Sequence, residues 1–181
     1  MKLAFVGPDR TGKSNIAAGL AKKLKEAGVD VPVFKNSGEW VTDLKSEDYF
    51  LNLLRFGGPF LMDFIRQTDV SVILDRFYPC EYAYSKAFNR TTDEKTIWWL
   101  DSEFACAGGK IIFCMREDYS ECKDDVYPDD LTEKKLIEID NYYKEFQKAT
   151  TCESMVLYTD DQNLEKQVGQ ILDFINFRSD A

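Results

Sequence analysis

The chain has 181 residues, 44% hydrophobic and 30% charged, ordinary proportions for one globular domain able to bury a real core. Acidic residues outnumber basic ones 32 to 23, giving a net charge of −9, and histidine is absent. Without histidine there is no Ser-His or Cys-His nucleophile, no His-ligated metal and no imidazole shuttle, and the acidic balance disfavours a nucleic-acid polymer as partner. The remaining chemistry belongs to lysine, arginine, carboxylates, hydroxyls or an oxygen-bound metal ion.

In chain order, the first expected strand, Leu3 to Val6, is too short an apolar stretch for a signal peptide and runs directly into a glycine turn. Gly7-Pro8-Asp9-Arg10-Thr11-Gly12-Lys13-Ser14 follows, a G-x-x-x-x-G-K-S string between a strand and a helix. That context suits a phosphate-binding loop. Gly7 and Gly12 allow the backbone to curl its N–H groups inward at a helix N-terminus. Lys13 then reaches the β- and γ-phosphates, and the Ser14 hydroxyl ligates Mg²⁺. The helix expected over Ser14–Ala27 stops at Gly28, a plausible C-cap.

Further strands are expected at Val31–Phe34, Val70–Leu74, Ile111–Met115 and Met155–Tyr158. Most are continuous apolar runs, as for parallel strands buried on both faces. Helices are expected over 47–55, 60–67, 81–88, 93–107, 131–148 and 164–177. Alternating strands and helices predict an α/β domain with a mostly parallel sheet and right-handed crossovers, spanning residues 1–181 as one unit.

No apolar run approaches the roughly 20 residues of a membrane helix. Five cysteines, Cys80, Cys106, Cys114, Cys122 and Cys152, form no Cys-x-x-Cys pair and are expected to be small buried hydrophobes in a reducing cytoplasm. The third strand ends in Asp75-Arg76-Phe77, where a carboxylate can hold the Mg²⁺ water shell and an arginine can clamp a phosphate. A base-reading Asn-Lys-x-Asp is missing, and no switch Asp-x-x-Gly follows the loop, so a GTPase is not indicated.

Two segments resemble thymidylate kinase and its relatives among the P-loop nucleoside and nucleoside-monophosphate kinases. One is Phe5 to Ser14, with Asp and Arg at the third and fourth places of the loop; the other is Asp75-Arg76-Phe77-Tyr78-Pro79-Cys80-Glu81-Tyr82-Ala83-Tyr84. The resemblance implies a three-layer fold with sheet order 2-3-1-4-5, with ATP and Mg²⁺ as cofactors and a nucleotide as substrate. Homodimers are common in the family. ATP would bind along Gly7, Pro8, Thr11, Gly12, Lys13, Ser14 and Asn15, with Arg116 on the adenine and Ser14 and Asp75 on the metal. Arg10 matches the position of a catalytic arginine carried inside the loop. The other source in the family, a lid, corresponds to residues 117–133, which carry eight acidic residues and one basic, Lys123. That segment holds a net −7 of the chain's −9.

Asp9 would touch the acceptor or its sugar. Lys35 and Arg76 would meet the acceptor's phosphate, and Phe56 would stack on its base. Tyr84 and Glu81 line the same site, with Glu81 either on a sugar hydroxyl or paired with Arg76. A cation at Lys35 favours a monophosphate acceptor, whereas a nucleoside kinase would use a base such as Glu39 or Asp9. Four residues past Phe56, where the resemblance implies an arginine, stands Phe60, so thymine rests on the resemblance alone. Arg55 and Arg66 are further candidates for the acceptor pocket. Trp98, Trp99, Tyr142 and Tyr143 read as core or dimer-contact aromatics. The expected activity is phosphoryl transfer from ATP to a nucleoside monophosphate, most simply a deoxynucleotide such as dTMP. The alternatives are a deoxynucleoside kinase and a non-catalytic ATP-binding module, with a polynucleotide 5′-kinase a distant third.

Overall fold

The computed structural model describes residues 1–35, 47–120 and 131–177, with backbone alone for 47–49. Glu39, Cys122 and the centre of the acidic 117–133 segment lie outside the described residues. Five parallel strands, β1 (Lys2–Val6), β2 (Val33–Lys35), β3 (Val72–Asp75), β4 (Gly109–Met115) and β5 (Glu153–Tyr158), form one sheet in the order β2-β3-β1-β4-β5. The helices are α1 (Lys13–Glu26), α2 (Glu47–Asn52), α3 (Gly58–Gln67), α4 (Tyr78–Ala87), α5 (Glu94–Cys106), α6 (Glu133–Ala149) and α7 (Leu164–Phe174). The expected fold class and strand order are both observed.

Strand side chains alternate between faces and so divide the core in two. Leu3, Phe5, Ile73, Ile112 and Cys114 pack with Ile16, Leu20 and Leu24 of α1 and Val168 and Ile171 of α7. Ala4, Val6, Leu74, Ile111 and Phe113 pack on the other side with α4, α5 and α6. Trp98 belongs to this second layer, stacked on Phe146 with ring centroids 4.9 Å apart, and Tyr143 is fully buried in it. Trp99 instead faces solvent. Among the described residues, no helix is long and apolar enough to cross a membrane.

Three expectations are corrected. β2 is not buried on both faces: it is the sheet's edge, and Val33 and Phe34 are 39% and 43% exposed, with Phe34 edge-on to Phe64. Gly57-Gly58-Pro59 does not break the chain between two helices. A π-turn over Leu53–Gly57 joins α2 to α3, and the wider turn absorbs the bond that Pro59 lacks an N–H to make. Cys106 is exposed and Cys80 half-buried; among the described cysteines, Cys114 and Cys152 are the buried ones foreseen.

A buried hub ties α5 to Tyr78 of α4 and to the α6–β5 junction. Asp101, 1% exposed, accepts hydrogen bonds from the Tyr78 hydroxyl at 2.9 Å, the Thr151 amide at 2.7 Å and the Thr150 and Thr151 hydroxyls at 2.5 and 2.8 Å. Removing the carboxylate would strand several buried donors at once. Asp101→Ala should therefore lose roughly 3 kcal/mol in equilibrium urea unfolding; a loss well under 1 kcal/mol would show that the hub is dispensable.

Candidate functional site

The site forms where β1 and β3 end side by side. Their register pairs Phe5 with Asp75, and the Arg76 amide extends the ladder by donating to the Phe5 carbonyl at 2.9 Å. β1 then turns through the loop into α1. Gly7 has φ +143°, and a Cβ there would stand 2.0 Å from the Cys114 carbonyl oxygen, so the loop begins by grazing the end of β4. Gly12, with φ +75°, makes the left-handed entry into α1. Arg10 and Arg76 are also left-handed, at φ 68° and 74°. Such a backbone is uncommon for residues with a side chain and costs on the order of 1–3 kcal/mol, a strain that clusters at functional sites.

The start of α1 suits an anion. It has no side-chain cap and no acidic residue in its first turn, whereas α5, α6 and α7 are capped by Asp93, Thr132 and Asn163. Its orphan amides and positive dipole end therefore face outward without competition. Ser14 and Asn15 are exposed on this first turn. Lys13, by contrast, is 5% exposed, and its Nζ donates to the Pro8 carbonyl at 2.5 Å and lies 3.4 Å from Thr11 Oγ1. Thr11 in turn donates to Pro8 at 2.9 Å, bracing the loop. Burial and the nearby Arg76 charge lower the Lys13 ammonium, with Asp9 partly offsetting them. A cation buried against neutral oxygens gains most from an anion brought to it.

Asp9 and Arg76 form an ion pair across the two strand ends, Arg76 Nη2 donating to Asp9 Oδ1. The Tyr84 hydroxyl donates to the other oxygen of Asp9 at 2.7 Å and accepts from the Asp9 amide at 3.0 Å. Burial alone would raise the Asp9 carboxyl, but Arg76, Lys13 and the two side-chain hydrogen bonds hold it below the usual carboxylate range. The same pair outweighs burial at Arg76 and keeps it charged. Burial and Asp9 push the Tyr84 hydroxyl well up, so it stays a donor. Behind this network Cys114 is pushed up to about 12 by burial, which makes it an inert thiol.

Of the two readings of Glu81, the pair with Arg76 does not form. Arg76 is taken up by Asp9, and Glu81 pairs with Arg90, 3.3 Å away. Lys35 stands exposed at the tip of β2, in register with Asp75. Phe56 projects from the π-turn and is 71% exposed, and Phe60 is 77% exposed one turn on. Arg55 and Arg66 join no part of the loop network: they pair with Asp93, the cap of α5, and Glu103. Arg116 lies at the end of β4 with its Nε 3.7 Å from Asp160. Asp160 also accepts the Glu117 and Asp118 amides at 3.1 Å, fixing the entry to the acidic segment. Neither Asp160 nor Arg90 carries a sequence signal: Asp160 acts through partners more than 40 residues away, and Arg90 is a single charge in a polar turn after α4.

Mg²⁺ takes oxygen ligands and usually keeps several waters, so one or two protein oxygens suffice. Among the described residues no group of three or more Cys, Asp or Glu side chains could hold a metal alone. Asp75, 2% exposed, has no hydrogen-bond partner for Oδ1 among the described residues, and Ser14 offers a hydroxyl on α1. These donors fit an ion held largely by phosphate and water.

No protein-family model and no curated protein matches the sequence. Solved structures do resemble it. The YorR protein from Bacillus subtilis, in complex with phosphorylated GDP, aligns with TM-score 0.71 at 20% identity over 97% of this chain and 96% of its own. Thymidylate kinase from Ehrlichia chaffeensis aligns with TM-score 0.68 at 16% identity, covering 98% of both chains. Deoxyadenosine kinase from M. mycoides, with dCMP and a flexible dCDP bound, aligns with TM-score 0.60 at 20% identity over 97% of this chain and 99% of its own. At these identities the likeness is one of fold, shared along nearly the whole length of each chain.

Because the folded Asp9 carboxyl lies below its unfolded value, its stabilisation is present in full above the unfolded value of about 4 and is lost as pH falls toward the folded one. Denaturant unfolding between pH 7 and 3 should show this loss in the wild type and a shallower one in Asp9→Asn. Parallel curves would mean that Arg76 does not hold Asp9 ionised.

Proposed function

We propose that this chain is an ATP- and Mg²⁺-dependent phosphotransferase that acts on a nucleoside monophosphate, with a deoxynucleotide such as dTMP as the first acceptor to try. The observation that carries the proposal is the Lys13 ammonium, buried against neutral loop oxygens at the uncapped, acid-free start of α1. The similar structures support it in kind. Two are described as kinases, of thymidylate and of deoxyadenosine, and the third holds a phosphorylated guanine nucleotide.

The loop amides and Lys13 would grip the β- and γ-phosphates of ATP, with Arg116 at its adenine. Bound Mg²⁺, held by Ser14 and Asp75 directly or through water, would neutralise charge on the phosphate oxygens. Arg10 would stabilise the moving phosphoryl group, where a fixed cation is worth most. Arg76 gives one N–H to Asp9 and has others for the acceptor phosphate, with Lys35 beside it across the sheet edge. Asp9, fixed by Arg76 and Tyr84, would accept a hydrogen bond from the acceptor's sugar, and Phe56 would stack on the base. A phosphate oxygen is already anionic and needs no proton acceptor, so positioning and electrostatics suffice.

Asp9 is poorly suited to be the base of the nearest rival, whose other candidate base, Glu39, lies outside the described residues. A nucleoside kinase must deprotonate a hydroxyl, and a carboxylate lowered by two hydrogen bonds and two cations is a weak base. The exposed apolar stripe Phe60 and Phe64 on α3 offers a face on which two copies could pair.

ADP release from ATP and Mg²⁺ should be measured across the common nucleosides and their monophosphates. Turnover with a monophosphate is expected; turnover with nucleosides alone would overturn the proposal, and tight ATP binding without any turnover would favour a non-catalytic module. Arg10→Ala should lower turnover by roughly 10³-fold while ATP affinity stays within about 3-fold. Unchanged turnover would place the catalytic cation elsewhere.

A further inference from the structure

The two sides of α4 have different surroundings. Tyr78 and Tyr82 pack into the aromatic layer with Phe104, Trp98 and Phe146. Tyr84 reaches the phosphate loop through Asp9. Glu81 precedes Tyr84 by three residues, the spacing of neighbours on one helix face. Glu81 and Arg90 are nearly buried, with side chains 12% and 17% exposed. Arg90 is held from behind by its own amide, which donates to the Ser85 carbonyl at 2.8 Å. Its guanidinium lies 4.4 Å from the ring centroid of Phe50 on α2. The pair therefore sits between α4 and the helix that goes on to carry Phe56.

An arginine and a carboxylate normally close a fork with two parallel hydrogen bonds. Here only one forms, Arg90 Nη2 to Glu81 Oε2. Glu81 Oε1 and Arg90 Nε are buried, and neither has a hydrogen-bond partner among the described residues; the same is true of Thr92 Oγ1 nearby in sequence. Burial raises the Glu81 carboxyl, and Arg90 counteracts it. A desolvated fork left half closed is costly unless a ligand completes it.

The two open atoms restrict that ligand. Oε1 of an ionised carboxylate only accepts, and Nε–H only donates. A phosphate offers acceptors alone and would be repelled by Glu81. The polar edge of a nucleobase carries an N–H beside a carbonyl oxygen or ring nitrogen, and so matches both. We propose that Glu81 and Arg90 together recognise the acceptor's base, Oε1 accepting an N–H from its edge and Arg90 Nε–H donating to the adjoining acceptor atom. Arg90 is thereby a specificity-determining residue. This rests on the proposed function, because it requires a nucleotide acceptor between α2 and α4.

The test compares the best mononucleotide acceptor with abasic 2-deoxyribose 5-phosphate. Arg90→Met keeps the stem under Phe50, and Glu81→Gln keeps the side-chain shape. In the wild type the base-bearing acceptor should be preferred by about 100-fold or more in kcat/KM. Both variants should cut that preference at least about 10-fold, through the acceptor's KM, with KM for ATP unchanged. A preference retained in both variants would overturn the proposal, as would equal losses on the two acceptors, which is the signature of a merely structural pair. Should no acceptor turn over, the proposed function fails separately. Calorimetric binding of the same two ligands then reads the pair: loss of mononucleotide affinity in Arg90→Met supports it, and unchanged affinity refutes it.

Discussion

Arg76 and Asp9 belong to different strand ends, one closing β3 and the other in the loop after β1, and their ion pair sets the geometry of everything around the phosphate loop. The pair holds Asp9 ionised although it is buried, and it fixes the Arg76 guanidinium beside the loop despite the left-handed backbone on which Arg76 sits. Tyr84 completes the clamp from α4, so three elements converge on one carboxylate. A buried pair of this kind adds little net stability, because desolvation offsets the Coulomb gain. Its value lies in specification: with Asp9 committed to Arg76, the Lys13 ammonium is left to neutral oxygens and is poised for an anion.

Sequence and structure agree most where the physics is local. The loop from Gly7 to Ser14 states its own mechanism, since glycine spacing, helix start and lysine reach are short-range properties. The parallel α/β class follows from alternating strands and helices with continuous apolar runs, whereas the strand order was implied by the family resemblance alone; the caps at Asp93, Thr132 and Asn163 lie where helices were expected to begin. The buried or exposed state of β2 was not legible. Val31 to Phe34 is as apolar as the interior strands; Pro32, which has no N–H for a ladder, is the one local hint of an edge, and the position itself depends on the whole sheet. The π-turn was hidden for a similar reason. Gly57-Gly58-Pro59 resembles a break, yet packing against α5 carries the helix through it.

Pairings between distant residues were the least legible part of the site. In sequence Glu81 could pair with Arg76 or meet a sugar hydroxyl; in the fold Arg76 pairs with Asp9 across the strand ends and Glu81 pairs with Arg90. Arg90 and Asp160 escaped notice because each is one charged residue in a polar turn, and only tertiary contacts distinguish such residues from a solvated surface. The missing histidine, unusual in the composition, fits the site: phosphoryl transfer to a phosphate can run on backbone amides, lysine, arginine, carboxylates and Mg²⁺.

The central claim is that the moving phosphoryl group lands on a phosphate. Following the label from ATP radiolabelled in its γ-phosphate, with a mixture of nucleosides and their monophosphates as acceptors, tests it most directly. The account predicts label in the β-phosphate of a nucleoside diphosphate, one equivalent for each ADP released. Label appearing only in nucleoside monophosphates or in inorganic phosphate would contradict it.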